Sequence, residues 1–524
     1  MKSIKRMFIL LVAVSLLSVS YAVLADGTFT FATAKDATNT DALRGDDHAS
    51  GMMHYLMYDQ LVAFNPQTFE PAPEIASAWS WSEDGKILTM NLVEGVTFHN
   101  EEDLTASDVV FSFERILDPE NASPQRGNYA WLISIDALDD YTVQFTLEYP
   151  FVAALEFISL VMIVPEETIQ EIGQEAFELH PIGSGPFKFV EWIKGERYVL
   201  ERNDDYWMKT PLIERVVMRP IPELSVQALE LETGGIDMVY EMAPTDYLRL
   251  QSSDDVTTMS ADGFSYTYFS FNLSRSPMND ARFRQAVVYA LDLDGATSAL
   301  FPGGTASRAY GQLPKQSWAN ADEYLQGKVT LSQDLDKARD LRSELIEDGV
   351  IDEDQVFTIW TPTDDVRTSL GTILATAMQQ VGFRVEVKPT EWGTYIPVLL
   401  RQGNPEGEWD IMILSYTGLF DPDYTLYKVW HSSHAFPGTN SNLHMYMNED
   451  VDALLDQARR AGDQVVRRAL YQEAQEIALS SYSVVPVYIA RVMQATTNRV
   501  HDFILDPRSF IGLCNQWTNV WLDE

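Results

Sequence analysis

The sequence predicts an α/β protein built around at least two cores, and three observations carry that reading. The chain has 524 residues, well beyond the roughly 250–300 at which a single hydrophobic core stops growing. Hydrophobic residues make up 46% and aromatics 11%, enough for packed interiors, which excludes a mostly disordered chain. Beyond residue 280, segments of strand periodicity alternate with segments of helical periodicity. That alternation calls for an α/β domain with some parallel pairing.

Residues 28–32 alternate as a strand, and a polar stretch follows from 33 to 47. A compact α+β pattern then runs to about residue 180. In it, 86–92 reads as a strand leading into a turn at Glu94-Gly95, and 141–147 as another strand. Residues 105–117 read as a helix: Thr105 and Asp108 have capping-box spacing, and Val109, Phe113, Ile116 and Leu117 form the inward stripe. Further strands are expected from 187 to 222, with a hairpin turn at Gly195-Glu196. Residues 266–272 form an aromatic strand where the chain changes region. Helices are expected at 282–291, 333–347, 366–381, 450–461 and 465–480, with strands at 355–360, 385–388 and 409–414 between them. There is no internal repeat and no long Gly/Ser linker, so the domains are expected to be joined by strands.

The N-terminus reads as an export leader. Lys2, Lys5 and Arg6 precede an apolar run from 7 to 17, and Val23-Leu24-Ala25 offers small residues for cleavage after Ala25. Cys514 is the single cysteine, so no intrachain disulfide can form. The leader has no cysteine to carry lipid, so the mature protein is expected to be periplasmic and not a lipoprotein. The most apolar later stretch, 151–164, is too short to span a membrane and contains Glu156. A formal net charge of −40 argues against nucleic acid and anionic lipid as partners, since both demand a basic surface.

The motifs of several chemistries are missing: there is no Walker A loop, HExxH, EF-hand loop or G-x-S-x-G elbow. Gly183-Ser184-Gly185 is followed by Pro186 and reads as a turn rather than a phosphate loop. His431 and His434 have metal-compatible spacing but no nearby Cys or carboxylate in sequence, so a surface or ligand-facing pair is expected and no metal site. Asp421 and Asp423 flank Pro422 and read as a rigid turn. Neither cofactor nor catalysis is expected. The alternatives left open are a secreted hydrolase of peptides or glycans, or a receptor for oligosaccharide, nickel or haem.

Several segments form an ordered series of motifs. They are Pro73-Glu74-Ile75-Ala76-Ser77-Ala78-Trp79 with Ser82-Glu83-Asp84-Gly85-Lys86, Glu94-Gly95-Val96-Thr97-Phe98-His99, and Leu104-Thr105-Ala106-Ser107-Asp108-Val109-Val110. Pro181-Ile182-Gly183-Ser184-Gly185-Pro186-Phe187, Asn203-Asp204-Asp205-Tyr206-Trp207 and Arg284-Gln285-Ala286-Val287-Val288-Tyr289-Ala290 continue the series. In this order the segments resemble the peptide/nickel-type extracellular solute-binding proteins of ABC importers, and the resemblance implies a two-lobed periplasmic binding protein fold with an extra subdomain inserted in the N-terminal lobe. On this chain that means a signal peptide at 1–25, lobe I at 26–270 with the insertion at about 50–180, lobe II at 271–488, and a return to lobe I at 489–524. The lobes would be crossed near 266–272 and 485–492.

The resemblance also implies a monomeric receptor that captures a peptide or similar solute by hinge closure and delivers it to a membrane permease with its ATPase subunits. Thr33, Trp360, Trp392, Tyr416, Gly418 and Leu419 are the expected ligand-binding residues. Dipeptide-type relatives hold the α-amino group with an aspartate just before the Asp-Pro turn and the carboxylate with an arginine. Here the first neighbourhood reads Gly418-Leu419-Phe420-Asp421, and Trp360-Thr361 stands at the second, with Arg367 farther along. Stacking is therefore expected to matter more than an ionic clamp on both peptide ends.

Overall fold

In the computed structural model, the described residues are 27–43, 47–400, 408–435, 441–508 and 510–523; the leader read at 1–25 lies outside them. Two long antiparallel strands, Val256–Phe271 and Val484–Thr497, run down the middle of an eleven-stranded sheet. On one flank come Ile411–Thr417, Val356–Pro362 and Arg384–Thr390, the last two parallel. On the other come Met238–Val239, Thr28–Thr33 and Arg215–Pro220, then the hairpin of Arg197–Arg202 and Phe187–Ile193. The hairpin turns at Gly195, whose φ of 77° suits glycine.

The aromatic strand expected at 266–272 begins ten residues earlier. Across Asp262 and Gly263 the pairing with Val484–Thr497 continues through register shifts between Asp262 and Tyr266 and again between Thr267 and Tyr268. Bulges of this kind bend a strand without ending it. Beyond them the two faces separate cleanly. Phe269 and Phe271 join a core with Phe283, Phe357 and helix Asp365–Gln380, whereas Tyr266 and Tyr268 join another with Trp360, Tyr395 and Trp430.

A second sheet, in the order Ala76–Trp81, Ile87–Leu92, Thr142–Leu147 and Leu132–Asp139, packs against helix Ala106–Leu117. The capping box is present: Asp108 accepts from the Thr105 amide at 2.8 Å. Two aromatic side chains from elsewhere, Phe264 and Phe420, complete this core.

Two local expectations are corrected. Asp421-Pro422-Asp423 is not a free-standing turn. Asp421 is the N-cap of helix Pro422–Trp430 and accepts from the Asp423 amide at 2.9 Å; Pro422 takes the first helical position, where its missing N–H costs nothing. The Gly183-Ser184-Gly185 segment is a close approach of two backbones. The Gly185 amide donates to Met57 O at 2.9 Å, and a Cβ on Gly183 would stand 2.0 Å from that oxygen. A side chain there would drive the segments apart.

Candidate functional site

The C-terminal ends of strands Val356–Pro362 and Ile411–Thr417, with the segment that follows each, gather most of the residues singled out in sequence. Trp360 and Tyr416 lie on one face of the sheet. Trp360 is 3% exposed, with the Lys388 ammonium 3.7 Å from its ring centre and its own Nε1 buried without a partner among the described residues. The Tyr395 hydroxyl lies 3.3 Å from Trp360 O and 2.6 Å from Ile413 O, and so ties the two strands together. Tyr416 donates to Tyr424 O at 3.3 Å.

Trp392 opens helix Trp392–Leu399, capped by Glu391, which accepts from the Gly393 amide at 2.8 Å. Its ring is 50% exposed, and the Arg367 guanidinium stands 5.6 Å from the ring centre. Arg367 is already paired with Asp364 at 2.6 Å. Gly418 is buried and donates to Phe264 O at 2.9 Å; a Cβ there would meet Thr425 Oγ1 at 2.3 Å. Leu419 is half-buried. Thr33 ends its strand, buried, with its hydroxyl donating to Lys35 O at 2.7 Å. The sheet order puts that strand across the central pair from those of Trp360 and Tyr416, so the six residues come from both flanks.

His431 stacks on Tyr427 with ring centroids 4.2 Å apart. Carboxylates do approach it, contrary to the expectation from sequence: Asp456 lies at 3.7 Å and Asp452 at 4.0 Å. They arrive from helix Glu449–Arg460, too far along the chain for local spacing to reveal. Burial nevertheless lowers the His431 pKa, and among the described residues no group of three or more His, Cys, Asp or Glu is placed to hold a metal.

Sequence reasoning missed the long-range contacts that surround this region. Phe420 inserts between Phe69 (4.5 Å), Phe264 (5.0 Å) and Phe64 (5.7 Å), with the Arg508 guanidinium 4.5 Å from its ring centre. Arg459 donates to the Tyr149 hydroxyl at 3.0 Å and covers Tyr427 at 3.3 Å. Lys428 donates to Asn128 Oδ1 at 2.5 Å, and burial lowers its pKa to about 8. The Glu156 carboxylate accepts from the Phe420 and Asp421 amides at 2.5 and 2.6 Å. Glu156 inside an apolar run was the available signal.

Beside these contacts opens a groove of about 880 Å³. Gln67 and Phe69 line it, together with Asp262 and Arg491 from the central strands and Ser307 and Lys315. Its walls offer both charges, donors and an aromatic face, a surface suited to holding a polar solute by many weak contacts.

Residues 70–437 match the family model of bacterial extracellular solute-binding proteins, family 5 (Middle). The chain belongs to this family. Among family members, it is 27% identical over 476 residues to the dipeptide-binding protein of Escherichia coli, covering 86% of this chain and 87% of that one. It is 26% identical over 509 residues to heme-binding protein A of Haemophilus influenzae, covering 92% and 91%. Among solved structures, the ABC transporter-associated periplasmic binding protein DppA from Helicobacter pylori, in complex with peptide STSA, aligns with a TM-score of 0.81 and 27% identity. That alignment covers 95% of this chain and 98% of that one. The fold is thus the two-lobed α/β architecture of periplasmic binding proteins, and the chain is a solute-binding protein. No helix among the described residues is long and apolar enough to cross a membrane.

Proposed function

We propose that this protein is the periplasmic capture component of an ABC importer, closing its two lobes on a peptide and presenting the closed form to a permease. What carries the reading is likeness along nearly the whole chain, at 26–27% identity, to binding proteins whose names specify dipeptides or di- and tripeptides. On this reading the leader is cleaved after Ala25 and the mature monomer carries no lipid. Lobe I comprises 26–270, with the subdomain at about 50–180, and 489–524; lobe II comprises 271–488. The two bulged central strands form the hinge. Closure is favoured by a ligand only through contacts it makes in the closed state and not in the open one.

The ligand surface we assign comprises Thr33, Trp360, Trp392, Tyr416, Gly418 and Leu419. Lys388 and Arg367 stand beside the two tryptophans, and with Arg367 occupied by Asp364 a clamp on the peptide carboxylate is not its main task. Titration calorimetry with the dipeptide Met-Leu and the tetrapeptide Ser-Thr-Ser-Ala tests this. Saturable binding of either, without release of hydrolysed product, is expected. Failure of both, together with a non-peptide solute co-purifying in mass spectrometry, would replace the peptide reading. Steady hydrolysis of either peptide would replace the receptor reading with an enzyme.

A further inference from the structure

Glu156 lies on the short helix Ala154–Ile158 of the inserted subdomain, 2% exposed. Its two carboxylate oxygens accept the backbone amides of Phe420 and Asp421, which lead into helix Pro422–Trp430 of lobe II. These bonds cross between the lobes and fasten the segment that begins at Gly418 and Leu419. We propose that Glu156 is a proton-linked positioning residue: it pins this ligand-side segment when the lobes close, and closure takes up a proton there. This rests on the hinge-closing receptor reading above.

The surroundings explain why a proton is involved. The charged and titratable groups facing Glu156 are Asp421 and Tyr424 from helix Pro422–Trp430 and its cap, and Arg508 from the C-terminal segment. Arg508 is committed to Asp506 at 2.7 Å, and Asp421 is committed to Arg467 at 2.8 Å. Among the described residues no cation lies within ion-pair distance of Glu156; Arg508 is the one cation near enough to pull its carboxyl down, and it does so from its pairing with Asp506. Burial first, then Asp421, push its carboxyl up to about 8, with the two amides and Arg508 pulling the other way.

In the open molecule the carboxyl meets water and titrates in its ordinary range, near 4.3. Between that range and about 8, the closed form holds a proton that the open form has released. Stability falls with rising pH wherever the native side binds more protons. Closure is therefore favoured by acid, loses that advantage as pH climbs toward 8, and gains nothing further from Glu156 above it. Lys428, lowered to about 8, works the other way and only above that value.

The test is small-angle scattering of the ligand-free protein from pH 5.5 to 8.0, repeated for Glu156→Gln and Glu156→Ala, with Ser-Thr-Ser-Ala titrations across the same range. The closed-to-open ratio of the unmutated protein should fall about tenfold or more over the range. The glutamine variant, uncharged and nearly isosteric, should change less than twofold, and the alanine variant should share its flat profile while closing less. Unmutated dimensions that are the same at both ends of the range overturn the proposal, as does a pH slope retained by both variants. If the slope is seen while Ser-Thr-Ser-Ala fails to bind, the peptide reading fails and the proton linkage stands. Tight peptide binding with a flat profile keeps the peptide reading and removes the linkage.

Discussion

Three carboxylates, Glu156 and Asp423 buried and Asp421 partly so, meet at the start of helix Pro422–Trp430, and they are held in two different ways. Asp421 and Asp423 fall in lobe II on the proposed boundaries and are paired with arginines there: Asp421 with both terminal nitrogens of Arg467 at 2.8 Å, and Asp423 with Arg459 at 2.8 and 3.1 Å. Glu156 arrives from the other side and meets only backbone amides. The contrast separates permanent from reversible structure. An arginine pair within one lobe keeps its charges compensated in every state of the molecule. On the proposed closure, Glu156 parts from its partners when the cleft opens and has none to lose but two N–H donors, which water replaces easily.

The sharpest way to break this comparison is to remove a permanent partner. Arg467→Met leaves Asp421, partly buried beside Glu156, without its ion-pair partner, and should cost about 3 kcal/mol of stability by urea unfolding. Asp421→Asn combined with Arg467→Met should recover a good part of that. If Arg467→Met destabilises no more than Glu156→Gln does, the division between the two kinds of carboxylate is wrong. Trp360→Ala belongs to the same scale, about 3–5 kcal/mol for a large aromatic deleted from a core. Trp392→Ala, half exposed, should barely move the unfolding midpoint and instead weaken peptide binding roughly tenfold. Equal stability losses for the two tryptophans would erase that distinction.

Phe420→Ala tests the apolar half of the crossing contact. Its ring completes the subdomain core, so its loss should cost the closed state about 3 kcal/mol, read as roughly hundredfold weaker ligand binding. Unchanged affinity would show that the aromatic cluster does not distinguish closed from open. Lys428 should give a smaller effect of opposite sign to Glu156. Its ammonium is disfavoured in the closed form below the ordinary lysine range, so closure there binds fewer protons and strengthens as pH rises from about 8 toward 10. Lys428→Met should abolish that rise in scattering measurements while leaving the slope below pH 8 intact.

Much of the scaffold was legible in the residues. The capping box at Thr105 and Asp108, the hairpin at Gly195, and the periodic helices from 281 onward all depend on neighbours close in sequence. Other features escaped for physical reasons. The bulge at Asp262 and Gly263 hid ten residues of strand because only the partner strand maintains the pairing there. Helix Trp392–Leu399 carries Pro397 inside it, which reads as a breaker in isolation. Asp421 looked like a turn because Pro422 suits a turn and a helix N-terminus equally well. The crossing contacts were least visible, since Glu156 and Asp421 are 265 residues apart and nothing local marks either as the other's partner. The resemblance nominated Trp360 as the end of a strand, and strand periodicity could not show that its ring would pack with Tyr395 of a helix more than thirty residues on.

The smallest expected effect isolates what the lobe crossing adds to an otherwise ordinary interaction. Asp463 does locally what Glu156 does across the cleft: its carboxylate accepts two amides, Val465 at 2.7 Å and Val466 at 3.1 Å, at the start of helix Gln464–Ser480. It is exposed and belongs to the helix it caps. Water solvates its charge, and no motion of the lobes separates it from its donors. Asp463→Ala should therefore cost about 1 kcal/mol of global stability, as caps do, and leave both closure and its pH profile unchanged between 5.5 and 8.0. The same two-amide geometry would then be worth little to ligand capture in one place and a proton-linked tenfold in the other, a difference due only to burial and to which lobe owns the carboxylate. Should Asp463→Ala flatten the pH profile as Glu156→Gln does, the linkage would follow overall stability rather than the crossing contact, and Glu156 would lose its special position.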